Sequence, residues 1–98
     1  MKIDIQAPWE VNKFLKNTIH DKVEKLSHFS DQIIHTNVFL KLKEHKSIED
    51  KIVEIRVSLP GPYLFAEGVA ETYEKAVIRA TEKVKKQLVK RKEKRLQR

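Results

Sequence analysis

Cationic side chains are concentrated near the C-terminus of this sequence. Residues 75–98 contain eleven Lys or Arg and two Glu, a net charge of +9, whereas the whole chain of 98 residues has a formal charge of +7. A near-neutral body joined to a strongly basic segment is typical of proteins that bind polyanions, most often nucleic acid and less often an anionic membrane surface. A basic tail that only maintains solubility is the simpler alternative.

The sequence offers no other set of residues with the spacing of a catalytic or metal site. It has no Cys, which excludes a disulfide, a thiolate nucleophile and a thiolate metal site. No two of the four His residues are four residues apart, as on a metal-binding helix, and they are spread over several predicted elements. Two Gly residues are too few for a nucleotide-binding glycine loop. We therefore predict a protein that is not an enzyme, with no catalytic residue, metal ligand, cofactor or small-molecule substrate.

The hydrophobic pattern predicts six elements that position the cations, in the order β-α-β-β-β-α. Alternating apolar residues predict strands at about 2–7, 34–43, 53–59 and 63–70. Apolar residues three and four apart predict helices at about 13–28 and 73–96. Asn12 and Thr72 are the predicted helix caps. The polar segment 44–50 and the Pro60-Gly61-Pro62 sequence are predicted turns.

These elements predict one α+β domain over residues 1–98. The first two strands flank a helix and are expected to be parallel, whereas the later strands follow short turns and are expected to be antiparallel. Each strand has one apolar face and each helix one apolar stripe. The simplest arrangement is a four-stranded mixed sheet with both helices on one face, similar to a double-stranded RNA-binding fold. Glu54, Arg56 and Ser58 indicate that the other face is solvated.

Six cations of the last predicted helix share an arc of about 100° and form what we call the basic ridge, about 28 Å long. They are Lys75, Arg79, Lys83, Lys86, Lys90 and Lys94. Apart from Glu93, which lies at the angle of Lys75, the arc holds no acidic residue, so its cations are expected to repel one another unless an anion binds. Because the ridge adjoins the apolar stripe, we expect it to border the groove between the two helices. Residues 91–98 have few apolar partners and are expected to fray without RNA.

Other residues are candidates for the same surface. Lys22 falls inside the apolar arc of the first helix and Lys25 at its edge, so they either extend past the sheet edge into solvent or face the same anion as the basic ridge. Trp9, Phe39 and Phe65 can stack on bases if they are exposed. Burial in the core is the alternative for these rings, with Trp9 packed at the start of the first helix.

Two segments of the sequence resemble a known family. Lys22-Val23-Glu24-Lys25-Leu26, followed by Phe29 and Asp31, is similar to the first-helix signature of the ribosome hibernation-promoting factors and ribosome-associated inhibitor A. The segment 83–92, KVKKQLVKRK, resembles their closing helix, and the element order and nearly the whole chain match as well. The start of the last helix departs from the family pattern, because Thr72, Glu74 and Ile78 stand where members often have Asp, Tyr and Asp.

The resemblance implies binding to rRNA of the small ribosomal subunit, in the channel between head and body, at the sites of mRNA and tRNA. It implies RNA-binding roles for Lys22, Lys25, Lys83, Lys86 and Lys90, and the helical arc adds Lys75, Arg79 and Lys94. The resemblance also implies a cytoplasmic translation inhibitor of ribosome hibernation that is monomeric when free. The length matches the short form of the family, which lacks the C-terminal dimerisation domain.

Two other functions stay open at this point. A general double-stranded RNA-binding module also places two helices on one face of a small sheet. A protein-interaction domain whose basic tail binds acidic partners is the third candidate. A membrane partner is not expected, and a membrane span is excluded because the longest apolar run, Tyr63 to Ala66, is far shorter than the roughly 20 residues that a span needs. The N-terminus alternates and lacks the apolar region of a signal peptide.

Overall fold

The predicted order of elements is present in the protein. The computed structural model describes residues 1–44 and 47–96. The strands are β1 (Lys2–Gln6), β2 (His35–Leu42), β3 (Lys51–Ser58) and β4 (Leu64–Ala70). The helices are α1 (Lys13–Glu24), which a short 3₁₀ helix (Lys25–His28) extends, and α2 (Tyr73–Leu96). The α+β class and the β-α-β-β-β-α order are confirmed.

Both α-helices begin at the predicted caps. The side chain of Asn12 accepts the N–H of Leu15 at 2.8 Å, and Thr72 Oγ1 accepts the N–H of Lys75 at 3.2 Å. Each cap supplies an acceptor to a first-turn donor that has no partner within the helix.

The first α-helix ends four residues before the predicted end, because the chain tightens into the 3₁₀ helix. There the N–H of Phe29 donates to the carbonyl of Leu26 at 3.0 Å. Such a turn satisfies carbonyls at a helix end and still keeps Leu26 buried. The second helix continues to Leu96, so fraying from residue 91 stays a prediction. Gln97 and Arg98, and His45 and Lys46 of the predicted loop 44–50, lie outside the described residues.

The four strands form one sheet in the order β1-β2-β3-β4. The first pair is parallel and the other two are antiparallel, as predicted. One row of partners, Ile5, Val38, Ile55 and Ala66, crosses all four strands. Because side chains alternate between faces, this register places the apolar residues of every strand on the same side.

The core lies between this apolar face and the two helices. Ile19 and Val23 of α1 and Val77 and Val84 of α2 are fully buried in it. The opposite face of the sheet is open, and there Lys41 and Glu54 form an ion pair at 2.9 Å across β2 and β3. No helix in the described part of the chain is long and apolar enough to cross a membrane.

Small residues let α2 lie very close to β4. A Cβ atom at Gly68 would collide with the carbonyl oxygen of Ala76 and lie 2.6 Å from the backbone nitrogen of Ala80. Both alanines are fully buried. The helix backbone therefore lies against the strand backbone, which brings the long side chains on one border of α2 within reach of the outer edge of the sheet.

Candidate nucleic-acid interface

One border of α2 is hydrogen-bonded to the edge of the sheet. Four of its side chains, spaced four residues apart, donate to carbonyls of β4 and of the turn before it; we call this set the edge ladder. Arg79 donates to Val69, Lys83 to Glu67 at 2.7 Å, Gln87 to Phe65 at 3.0 Å and Arg91 to Pro62 at 2.7 Å. Since β4 is the last strand of the sheet, these carbonyls would otherwise be unpaired.

The position of the edge ladder corrects one sequence prediction. The basic ridge does not border the groove between the helices; it lies on the β4 side of α2, where Arg79 and Lys83 belong to the ladder. An apolar stripe has two borders, and the helical pattern alone does not tell which border faces which neighbour. Here the contact at Gly68 decides it, because the close approach lets this border wrap around the sheet edge.

The basic ridge also has acidic partners outside α2, which corrects the prediction that its cations repel one another until an anion binds. Lys75 pairs with Glu71, and Arg79 pairs with Glu49 of the β2–β3 loop. Neither acid lies on α2, so the helical arc does not reveal them. The hydrogen bond and charge of Lys75 lower the pKa of Glu71 below its ordinary value of 4.5. The N-terminal end of the ridge is thus already partly neutralised.

The C-terminal half of the ridge is different, because its outermost cations are not neutralised. Lys86, Lys90 and Lys94 are exposed. None of the three forms an ion pair with any residue of 1–44 or 47–96. Their charges are therefore available to an external anion.

A second cationic surface lies in the groove between the helices, and we call it the lysine groove. It has a volume of about 330 Å³, and its cations are Lys22, Lys25 and Lys85. The ammonium of Lys85 lies 4.9 Å from the centre of the Phe29 ring, a cation–π contact that orients it. Its acidic member is Glu82. None of the three lysines forms an ion pair within the part of the chain that the structure describes.

The lysine groove decides between the two alternatives for Lys22 and Lys25, and it adds Lys85 to the candidate residues. Lys22 and Lys25 do line the groove between the helices, but they face Lys85 and not the basic ridge. Sequence reasoning missed Lys85 because it concentrated on one arc of α2. The signal was available, since Lys85 lies on the opposite border of the same apolar stripe.

None of the three aromatic candidates lines the lysine groove. The ring of Trp9 lies 5.5 Å from that of Tyr73, so it packs at the start of α2, and its packing at the start of α1 stays a prediction. Phe65 is exposed, and Phe39 is half-buried. Both alternate with core residues and therefore lie on the open face of the sheet.

The described residues contain no group of three or more His, Cys, Asp or Glu that can hold a metal ion. What the helices offer is unpaired positive charge on two surfaces, the lysine groove and the C-terminal half of the basic ridge. Ammonium groups of this kind bind phosphates with little dependence on sequence, because they act as point charges.

Solved structures share this fold. A crystal structure of the N-terminal domain of Thermus thermophilus Protein Y has a TM-score of 0.73 and 21% identity, over 91% of this chain and 93% of that one. A ribosomal subunit interface protein from Coxiella burnetii has a TM-score of 0.77 and 22% identity, over 93% of this chain and 94% of that one. No curated protein sequence matches the chain.

The family comparison covers nearly the whole chain. The model of the family described as Sigma 54 modulation protein / S30EA ribosomal protein matches residues 4–96. That range includes both lysine-bearing helices, all of β2, β3 and β4, and β1 from Asp4 onward. The resemblance to the hibernation-promoting factors is thereby confirmed, and the chain belongs to the Sigma 54 modulation protein / S30EA ribosomal protein family of ribosome-associated modulation factors.

Proposed function

We propose that the protein binds rRNA of the small ribosomal subunit in the decoding channel and silences translation by excluding mRNA and tRNA. One observation carries the proposal within this family: Lys22, Lys25 and Lys85 converge in a groove where none of them has an ion pair among the described residues. Three like charges held close together against the single carboxylate of Glu82 are stabilised when phosphates bind, and binding releases the counterions of the RNA.

The cations of the two surfaces have different roles. The lysine groove and the free cations Lys86, Lys90 and Lys94 contact phosphates. Arg79 and Lys83 mainly hold α2 against β4, although Lys83 uses only one of its three ammonium hydrogens in the edge ladder. The inhibition itself needs no catalytic group, because a folded domain in the channel occupies the space of the displaced RNAs. The proposed site of action is the cytoplasm.

Co-sedimentation with purified small subunits tests the proposal. We expect stoichiometric binding that weakens as the salt concentration rises, and displacement by mRNA together with tRNA. Binding that mRNA and tRNA leave unchanged would contradict the decoding channel as the site.

A matched pair of triple variants tests the lysine groove. Replacing Lys22, Lys25 and Lys85 by Gln is expected to weaken binding tenfold or more and to lower the log–log salt slope by about two, since phosphate contacts are lost. The control replaces Lys13, Lys16 and Lys43 by Gln, which removes the same charge from exposed lysines outside the groove. Equal weakening by both variants would show that net charge matters and the groove does not.

Free RNA separates this function from that of a general double-stranded RNA-binding module. We expect a random RNA duplex to bind much more weakly than the small subunit at the same salt concentration. Comparable affinity for both would favour the general module.

A further inference from the structure

A separate small pocket lies near the C-terminal end of α2, between this helix and the loop that follows the 3₁₀ helix. We call it the end pocket. It has a volume of about 270 Å³, and the residues around it include Ser30, Asp31, Arg91 and Lys92. None of these four lines the lysine groove, although His28 and Phe29 line both. The two sites therefore adjoin each other without sharing a cation.

We propose that the end pocket binds a phosphate group. The guanidinium of Arg91 is the first support. Its Nη2 donates to the carbonyl of Pro62 at 2.7 Å, whereas Nη1 is buried and has no acceptor among the described residues. A buried charged donor without an acceptor is costly, and native proteins rarely leave one unpaired. The bond to Pro62 holds the guanidinium beside the pocket that Arg91 lines; Nη1 itself is enclosed, so an anion in the pocket reaches it only after the side chain turns.

The other lining groups fit a tetrahedral anion. Ser30 Oγ accepts the N–H of Gln32 at 3.2 Å, so its hydroxyl hydrogen is left to donate. Lys92 adds a second positive charge beside Arg91, against the single carboxylate of Asp31. The volume of about 270 Å³ lies just below the roughly 300–1,000 Å³ of pockets for drug-sized ligands. The pocket therefore suits a phosphate group with its water better than a large ligand.

Phosphate binding by the pocket does not depend on the proposed function; only its source does. The phosphate is either a phosphodiester of RNA that continues from the lysine groove, or a free phosphate ion. Both present the same oxygen acceptors to Arg91.

Titration of the full chain with inorganic phosphate tests the proposal without ribosomes. Using ¹⁵N-labelled protein, with chloride balancing the ionic strength, we expect saturable shifts at the amides of Ser30 and Asp31 and at Arg91 Nε. Arg91→Lys keeps the charge but loses the planar pair of donors, and it is expected to weaken phosphate binding about tenfold. Lys16→Gln, which removes one charge from an exposed lysine outside the pocket, is expected to leave the affinity unchanged.

A second variant keeps the test decisive if Arg91→Lys perturbs the fold. Asp31→Asn removes the one carboxylate of the end pocket, so phosphate is expected to bind several-fold more tightly. The proposal is overturned if chloride reproduces the shifts, if they do not saturate, or if both pocket variants bind phosphate like the wild type.

Small-subunit co-sedimentation of Arg91→Lys then identifies the source. Weaker binding to the subunit assigns the pocket to an RNA phosphodiester, and unchanged binding assigns it to free phosphate. Failure of the wild-type chain to bind the subunit would count against the proposed function alone, since the phosphate titration stands by itself.

Discussion

Tyr73, the first residue of α2, contacts both the segment before α1 and the end of β2. Its ring packs on Trp9, and its hydroxyl donates to the carbonyl of Lys41 at 3.0 Å. Burial, and to a lesser extent the negative charge of Asp50, raises the pKa of Tyr73 above its ordinary value of 10.0. The fold thus favours the protonated phenol, the form that can donate to Lys41.

Tyr73→Phe tests this contact. Removing the hydroxyl keeps the ring but loses the hydrogen bond, so the free energy of unfolding is expected to fall by about 0.5–1 kcal/mol at pH 8. The pKa is raised in the folded state, so this stabilisation is fully present below pH 10 and is lost as the pH rises through the folded-state pKa. Urea unfolding of both proteins at pH 8 and above pH 10 measures it. A difference between the two proteins that grows with pH would contradict the assignment.

Sequence reasoning succeeded for residues whose role is local. Asn12 and Thr72 cap their helices because a cap needs only a side-chain oxygen next to the first turn. Sequence reasoning failed where the partner of a residue is distant in sequence, as for Glu49, which forms an ion pair with Arg79. Lys22 lies between these cases: its position on α1 indicated the groove, but its neighbour Lys85 depends on how α2 packs.

At the scale of the elements, the contact between α2 and β4 is the feature that positions the cations. Gly68→Ala tests it, because the added methyl group collides with the backbone of α2. We expect the free energy of unfolding to fall by about 1–3 kcal/mol or more. Urea denaturation measures the loss.

Gly61→Ala is the matched control for that substitution. A Cβ at Gly61 meets no atom within 4 Å, but the φ of +91° disfavours a side chain. The expected decrease in the free energy of unfolding, about 1 kcal/mol, is smaller than for Gly68→Ala and comes from the backbone conformation alone. A Gly68→Ala protein at least as stable as Gly61→Ala would show that α2 adjusts without cost.

The element order and strand pairing were predictable because the hydrophobic periods are clear. The apolar alternation through Val53, Ile55 and Val57 and the cap at Thr72 each define an element locally. The side of α2 that carries the edge ladder was not predictable from those periods. It depends on Gly68, which lies on another element and shows its effect only when the two backbones meet.

The whole molecule measures 47 × 25 × 18 Å, and its two sheet edges differ. The edge ladder occupies carbonyls of β4, which blocks strand pairing there. The β1 edge is short, at five residues, and carries the charged side chains of Lys2 and Asp4. Both features oppose edge-to-edge association.

We therefore expect the free protein to be a monomer. Sedimentation velocity in 0.15 M salt, over a wide range of protein concentrations, is expected to give one species of 11.6 kDa. A dimer that persists on dilution would contradict this expectation, and Lys83→Met, which removes one donor of the edge ladder, would then show whether the β4 edge is responsible.

The edge ladder also constrains the length of α2. Donors four residues apart on a helix are about 6.0 Å apart, and carbonyls two residues apart on a strand are about 6.6 Å apart. The two spacings are nearly commensurate, and flexible side chains absorb the small difference; the last bond reaches Pro62 instead of Tyr63. One residue inserted after Arg79 would turn every later donor by about 100° and disengage it from the strand. Along this helix, evolution can exchange side chains far more freely than it can add or remove residues.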